Sequence, residues 1–400
     1  MAGEKAGEKT GDEVNTGVRQ NETRHAAERI WRAGVAAVGG RQSVRAALST
    51  DNVPTPDLVL AVGKAAVPMA LAALAHFGAA IPALAVTKYG HDEASGGEEI
   101  AFRRNLRIIE AAHPVPDANS LAGGAALLEA VQATGKSQSL LLLVSGGASA
   151  LAEVPQEGFD LGTLRAENAK LLASGLDIHA INTRRRTLSR IKGGGLLSHF
   201  AGRRADVLAI SDVEGDDISV IGSGIGACPA GANFDCHPRI VASSAIAREA
   251  ASAEAAALDL EVVASEESLH GDVYQVARRL GAAIRDQAAG VAIHGGEPTV
   301  VLPDQPGEGG RNQALALALA REIDGMTGVC VLVAGTDGTD GPTDAAGGIV
   351  TGESWASLAG GEAALERADA GTWLRQAGAL FVTGPTGTNV MDMAVVVKSA

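Results

Sequence analysis

Aromatic side chains are scarce in this sequence, 3% of 400 residues, and cysteine occurs only three times. With so few rings, a core has to be built from Ala, Val, Leu and Ile on closely approaching backbones, which the 51 glycines permit. Cys228, Cys236 and Cys330 form no CxxC pair, which speaks against a disulfide framework or a structural zinc site and suits a reducing compartment, so a cytoplasmic location is expected. Apolar runs of about 18 residues are missing, so no membrane span is expected. The opening MAGEKAGEKTGDEVNTGVRQ has no apolar segment behind its charges, which excludes a secretory signal pattern, and residues 1–22 read as a disordered leader. Positive charge is short as well. Thirty-three basic against 47 acidic residues give a formal charge of -14, a field that repels nucleic acid phosphates and acidic membranes. An anionic ligand has to be met by locally gathered Lys or Arg, or by helix amino termini.

What is present alternates, and a length of 400 residues with 46% hydrophobic side chains suffices for two packed domains. Helical spacing runs from Ala26 to about Leu48, and the pattern then goes strand, helix, strand: Asp57–Val62, Ala65–His76, Ala83–Thr87. Leu106–Ala111, Ser139–Val144 and Val207–Ile210 continue as strands, with a helix over Leu121–Ala133. A second series opens at Ile240 and includes strands at Glu261–Ala264, Gly290–His294, Val329–Ala334 and Ala379–Val382. The economical architecture is α/β, with two doubly wound α/β/α (Rossmann-like) domains, 23–238 and 239–400, and an active site in the cleft between them.

In such folds ligands sit where strand ends give way to glycine turns. Val62-Gly63-Lys64 puts an ammonium beside a helix start, where the dipole disfavours it, so a use for Lys64 is worth weighing against a solvated lysine. Ser145, Gly146, Gly147 and Ser149 follow a strand in VSGGAS and could offer N–H groups to a phosphate, although a plain β-to-α turn needs the same glycines. Arg184, Arg185, Arg186, Arg190 and Lys192 crowd one stretch of an acidic chain; Lys192, beside three glycines, is the favoured anion contact. Carboxylates gather as Asp212, Asp216 and Asp217, and as Asp337, Asp340 and Asp344, on glycine loops suited to Mg2+. Asp216, Asp217 and Asp337 are the expected metal contacts, with capping and Asx turns as the alternative. Gly309-Gly310-Arg311 opens an apolar helix with a guanidinium able to clamp an oxyanion, and Thr386 and Asn389 lie in one more glycine-threonine loop.

Three familiar signals fail. Gly135-Lys136-Ser137 lacks the first Walker A glycine, because position 130 is alanine, and a strand follows it. GSGIGA at 222–227 lacks dinucleotide spacing, and the loop from Asp337 lacks the glutamate of a calcium-binding EF-hand.

Nine segments stand in one order: AVGKAA, HPVPD, LLLVSGGASAL, INTRRRTLSRIKGGGL, ISDVEGDD, GGEPTV, GEGGRNQALALALA, AGTDGTDGPTDAAGG and VTGPTGTNVMD. Together they resemble the class II glycerate kinases, whose carboxyl-terminal half is the MOFRL domain, over roughly residues 24–398. The resemblance implies ATP-dependent, Mg2+-assisted phosphorylation of D-glycerate at its 2-hydroxyl, with ADP and 2-phosphoglycerate as products. It places the family's active-site lysine on Lys64, its aspartate on Asp212, its arginine on Arg311 and the KGG lysine on Lys192. The expected partners are small molecules, with no nucleic acid or membrane, and a homodimer is left open. One segment departs from the pattern: where the family continues ASGPTVPDPTT, this chain reads GSGIGACPAGANFD over 222–235. The acceptor could therefore be a related small 2-hydroxy acid. Hydroxypyruvate reduction and a catalytically silent binding protein are the alternatives. Since Lys64, Ser145, Lys192 and Asp212 fall in one half and Arg311, Asp337 and Asn389 in the other, closure about a hinge over Gly215–Phe234 is expected.

Overall fold

A computed structural model of the chain describes residues 11–50, 53–91, 102–173 and 178–399. Two compact units emerge, one comprising 36–243 with 387–390, the other up to Val35 with 244–386 and 391–400. Helix α1 (Gly11–Ala37) replaces the expected leader from residue 11 onward; residues 1–10 of that leader lie outside the described residues.

The first unit is a parallel sheet of β1 (Leu58–Val62), β2 (Ala83–Lys88), β3 (Leu106–Ala111), β4 (Ser139–Val144), β5 (Arg204–Ile210) and β6 (Asp235–Ala242), in the order β3-β2-β1-β4-β5-β6. Its helices are α2 (Gly40–Thr50), α3 (Ala66–Phe77), α4 (Ala118–Gln132), α5 (Ala148–Leu151), α6 (Leu161–Ala173), α7 (Ile178–Leu188) and α8 (Gly195–Ser198). The β4 sequence SLLLLV is buried at every position, because a central parallel strand is covered on both faces and so reads as a continuous apolar run. The order reverses between β1 and β4, and that reversal places the ligand crevice of a doubly wound sheet.

Three expectations change here. A boundary at residue 239 falls inside β6, which pairs with β5 from Arg204↔Asp235 onward, so the chain leaves this sheet only after Ser243. The segment Gly215–Phe234 therefore joins two strands of one sheet and cannot serve as a hinge linking two units. It is also tied down: Cys228 and Cys236 form a disulfide with Cα atoms 6.1 Å apart. That bond corrects the reading of three unpaired cysteines and removes the argument for a reducing compartment built on it. Sequence spacing hid the pair because Cys236 starts a strand while Cys228 lies in the preceding loop. Cys330 is free and buried, and burial pushes its thiol pKa up to about 12.

The second unit holds β7 (Val262–Glu267), β8 (Gly271–Asp272), β9 (Gly290–Gly296), β10 (Pro298–Thr299), β11 (Val329–Gly335), β12 (Gly347–Thr351), β13 (Leu380–Phe381) and β14 (Asp392–Lys398). Its main sheet is mixed, in the order β13-β12-β11-β14-β9-β7, with only β7 and β9 parallel. Helices α9 (Ser244–Ala257), α10 (Val273–Asp286) and α11 (Arg311–Glu322) accompany it. One core joins α10 and α11 to one face. Another joins Ala27, Ile30, Trp31 and Val35 of α1 to Val291, Leu332 and Val395. The spacing of those α1 residues is helical, but which sheet they cover was not written in it. The expected single helix over Ala26–Leu48 divides into α1 and α2, and its first part belongs to the second unit.

Among the described residues, no helix is long and apolar enough to cross a membrane.

Candidate active site

The two strands that flank the reversal, β1 and β4, both end in glycine turns. Ser145 N donates to Val62 O at 2.9 Å and Lys64 N donates to Gly146 O at 2.9 Å, so the two turns are stitched together. Gly63 has φ +126°, and a Cβ there would collide with Ser145 Oγ, so glycine is required. Ser145 itself is fully buried and its Oγ accepts from Ala65 N at 3.0 Å. This corrects its expected nucleotide contact: the hydroxyl caps the entry to α3, out of a ligand's reach.

Around Gly146 and Gly147 the site assembles within the first unit. A Cβ on Gly146 would collide with the Asp212 carboxylate and fall 2.7 Å from Asn389 Nδ2. A Cβ on Gly147 would fall 3.1 Å from His113 Cδ2 and 3.3 Å from Lys64 Cγ. The bare backbone thus lets Asp212, Asn389, His113 and Lys64 converge. Asp212 stands one residue past β5, after the fully buried Ala209, Ile210 and Ser211, and Asn389 Nδ2 donates to its Oδ2 at 3.4 Å. His113 was quoted in the HPVPD segment without a role. The signal that could have marked it is its place just past β3, at the same edge as the other strand ends.

A cavity of about 520 Å³ opens beside this cluster, lined by His113, Gly147, Ser149, Arg185, Asp212 and Ser223 among others. Ser149 and Ser223 hydroxyls are 2.8 Å apart. Ser223 is a buried non-glycine residue at φ +59°, a conformation held by its surroundings. The departing segment 222–235 therefore contributes to the cavity wall through Gly222 and Ser223.

Lys192 does not line that cavity, which corrects its expected anion contact. Its Nζ pairs with Glu153 Oε2, both side chains only 3% exposed, and burial draws the ammonium's pKa below its usual value although Glu153 opposes this. The neighbouring glycines instead hold the cavity loop: Gly193 N donates to Ser223 O at 2.9 Å and Gly194 N to Gly224 O at 2.8 Å. Of the basic cluster it is Arg185 that lines the cavity. Arg186 Nη2 meanwhile donates to Ser219 O at 2.6 Å.

The expected metal ligands are engaged locally. Asp217 Oδ1 accepts from Ser219 N at 2.8 Å, and Asp337 Oδ1 accepts from Thr339 N and Thr339 Oγ1, both at 3.0 Å. Asp216 takes φ +54° in a short turn. Among the described residues no three His, Cys, Asp or Glu side chains gather for a metal.

In the second unit, Arg311 begins α11 and is held by two carboxylates, Glu297 at 2.6 Å and Asp392 at 2.9 Å. Gly310 is the N-cap, and its missing side chain makes room for Asp340, whose oxygens accept from Asn312 N at 3.1 Å and Gln313 N at 2.8 Å. A Cβ on Gly309, at φ +155°, would fall 3.0 Å from Gly371 N. Both glycines are thus accounted for by packing. Thr386 Oγ1 donates to Thr336 O at 2.5 Å.

Burial raises Asp340 to about 6 and Asp392 to about 7, against the pull of the amides and of Arg311. A carboxyl with a raised folded-state pKa stabilises the fold below its unfolded pKa of about 3.9, and that contribution is lost as pH rises through 6. Urea unfolding of wild type and Asp340→Asn is expected to show wild type losing on the order of 2 kcal/mol relative to the variant between pH 4 and 7. The turned amide of Asn adds a cost independent of pH. A difference that moves the other way would mean that α11 stabilises the ionised carboxylate.

Comparison with known proteins agrees with this layout. A family model described as a domain of unknown function, DUF4147, matches residues 26–259, and the MOFRL family model matches 290–392. The chain is 36% identical to the D-glycerate 2-kinase of Thermotoga maritima over 84% of this chain and 89% of that protein. It is 34% identical to an Agrobacterium vitis protein given the provisional name hydroxypyruvate reductase, over 85% of this chain and 98% of that one. The crystal structure of glycerate kinase from Thermotoga maritima superimposes with a TM-score of 0.83 at 31% identity, covering 94% of this chain and all of that one.

Proposed function

We infer that this chain, which belongs to the class II glycerate kinase family with its MOFRL domain, phosphorylates D-glycerate at the 2-hydroxyl with a nucleoside triphosphate, ATP in the first instance. The observation that carries the reading is the convergence of Asp212, Lys64 and Asn389 on the Gly146-Gly147 turn at the point where the sheet order reverses. The 2-hydroxyl oxygen bonds to the terminal phosphorus, its proton passes to an Asp212 oxygen, and the bond from that phosphorus to the departing ADP oxygen breaks. Phosphoryl transfer of this kind asks the protein for position and charge more than for covalent chemistry. Asp212 supplies the base, Asn389 orients it, and Lys64 neutralises charge on the transferred group.

Among the first unit's described residues no three carboxylates meet, so those residues do not by themselves form a site for a resident magnesium. The residues fit an ion that would be carried on the nucleotide phosphates and held by one carboxylate, and Asp216, in the turn just past Asp212, would be that carboxylate. Such an ion neutralises phosphate charge when bound.

Release of ADP on adding D-glycerate, coupled to a visible readout, tests the function beside NADH oxidation with hydroxypyruvate. ADP release alone is expected. The turn after β1 carries one glycine, Gly63, followed by Lys64, which leaves a dinucleotide no fingerprint. NADH oxidation without ADP release would sink the kinase reading.

Lys64→Ala is expected to lower kcat by about tenfold to a hundredfold with little change in either KM, the scale of one charged hydrogen bond. Steady-state kinetics decide: a rise in the glycerate KM at constant kcat would make Lys64 an anchor for the acid's carboxylate instead.

A further inference from the structure

The cavity beside Asp212 is larger and more apolar than glycerate needs. A three-carbon acid with an oxygen on every carbon has no apolar face, yet Pro114, Val115, Pro116, Val213 and Val220 all belong to this lining. Val115 is 53% exposed, so its apolar surface is open to a ligand in the cavity. The volume of about 520 Å³ falls within the range of sites that enclose a ligand the size of a nucleoside.

Its charge is also reversed relative to the chain. The molecule carries -14, but the titratable groups lining this cavity are Arg165, Arg185 and His113 against a single carboxylate, Asp212. The two arginines come from different helices, α6 and α7. Arg165 Nε donates to Pro116 O at 2.7 Å, which fixes the guanidinium to the apolar strip. Arg185 is half-buried, and desolvation draws its pKa below the usual value although Glu153 opposes this. A guanidinium placed in such surroundings gains from an anionic ligand more than a solvated one does.

We propose that this cavity is the nucleotide subsite of the first unit: the adenosine lies on the Pro114–Pro116 strip with Val213 and Val220, the phosphates meet Arg165 and Arg185, and the chain of phosphates ends toward Asp212. This rests on the kinase reading and deepens it. It also reassigns the nucleotide contacts expected from Gly309 and Gly310, which packing already explains.

Calorimetric titration with ADP and steady-state kinetics with ATP and D-glycerate, on wild type, Arg185→Ala and Ala169→Trp, test it. Ala169 is an exposed α6 residue of the cavity wall, so a bulky side chain there fills the space with little demand on the fold. Both variants are expected to weaken ADP about tenfold or more, with the glycerate KM within about twofold of wild type. If Arg185→Ala fails to fold, Ala169→Trp decides alone. A raised glycerate KM with unchanged ADP affinity would give the cavity to the acceptor and overturn the proposal, as would unchanged values for both ligands or a wild type that binds no ADP. Should wild type bind ADP and yet transfer nothing to D-glycerate, the glycerate reading fails, while the subsite still stands or falls on ADP affinity in the variants.

Discussion

Asp212→Asn is expected to lower kcat by about a hundredfold or more while leaving the fold and both KM values near wild type. The side chains are nearly isosteric, and position 212 follows Ala209, Ile210 and Ser211, all fully buried, so the backbone cannot shift to accommodate a change. Asn389 Nδ2, 3.4 Å from Asp212 Oδ2 in wild type, still finds a carbonyl oxygen in the variant. What disappears is the ability to take a proton from the 2-hydroxyl, and general-base losses run from about a hundredfold to ten-thousandfold. Steady-state kinetics with circular dichroism as the folding control measures it. An unchanged kcat would remove Asp212 from the chemistry.

Lys192 is expected to matter through stability. Lys192→Ala leaves Glu153 without its partner at 3% side-chain exposure, and removing one member of a buried pair costs about 3–5 kcal/mol. The double variant Lys192→Met/Glu153→Leu is expected to recover most of that loss, because two apolar side chains of similar volume have no charge to desolvate. Denaturant unfolding reads the first part and kcat of the double variant the second. If the double variant is well folded yet inactive, the ammonium is needed for catalysis and the positioning role through Gly193 and Gly194 is insufficient.

Much of the first unit was legible in the sequence. Strands β1, β4 and β5 are apolar runs followed at once by Gly63, Ser145 and Ser211, and a central parallel strand buried on both faces needs little more to reveal itself. The second unit was harder to read. Strand β12 is GGIVT, too short and glycine-rich to stand out, and β14 begins with the buried Asp392, so its mixed pairing was missed. The candidate site divides in the same way. Lys64, Asp212 and Asn389 sit at strand ends or glycine turns and were named from position, whereas Ser145 and Lys192 occupy similar turns and point into the interior.

By itself the sequence determined the alternation of strands and helices, the glycine turns at strand ends, and the acidic field that forces anion binding onto a few local cations. These depend on residues near one another along the chain. Tertiary structure alone decided that α1 packs on the second sheet, that β6 returns to the first, that Cys228 meets Cys236, and that Arg185 rather than Lys192 faces the cavity. In each case the deciding quantity is which distant surface a side chain is buried against. A helix period or a glycine turn specifies a direction relative to its own backbone; only the packed fold says whether that direction leads to solvent, to a carboxylate such as Glu153, or to a ligand.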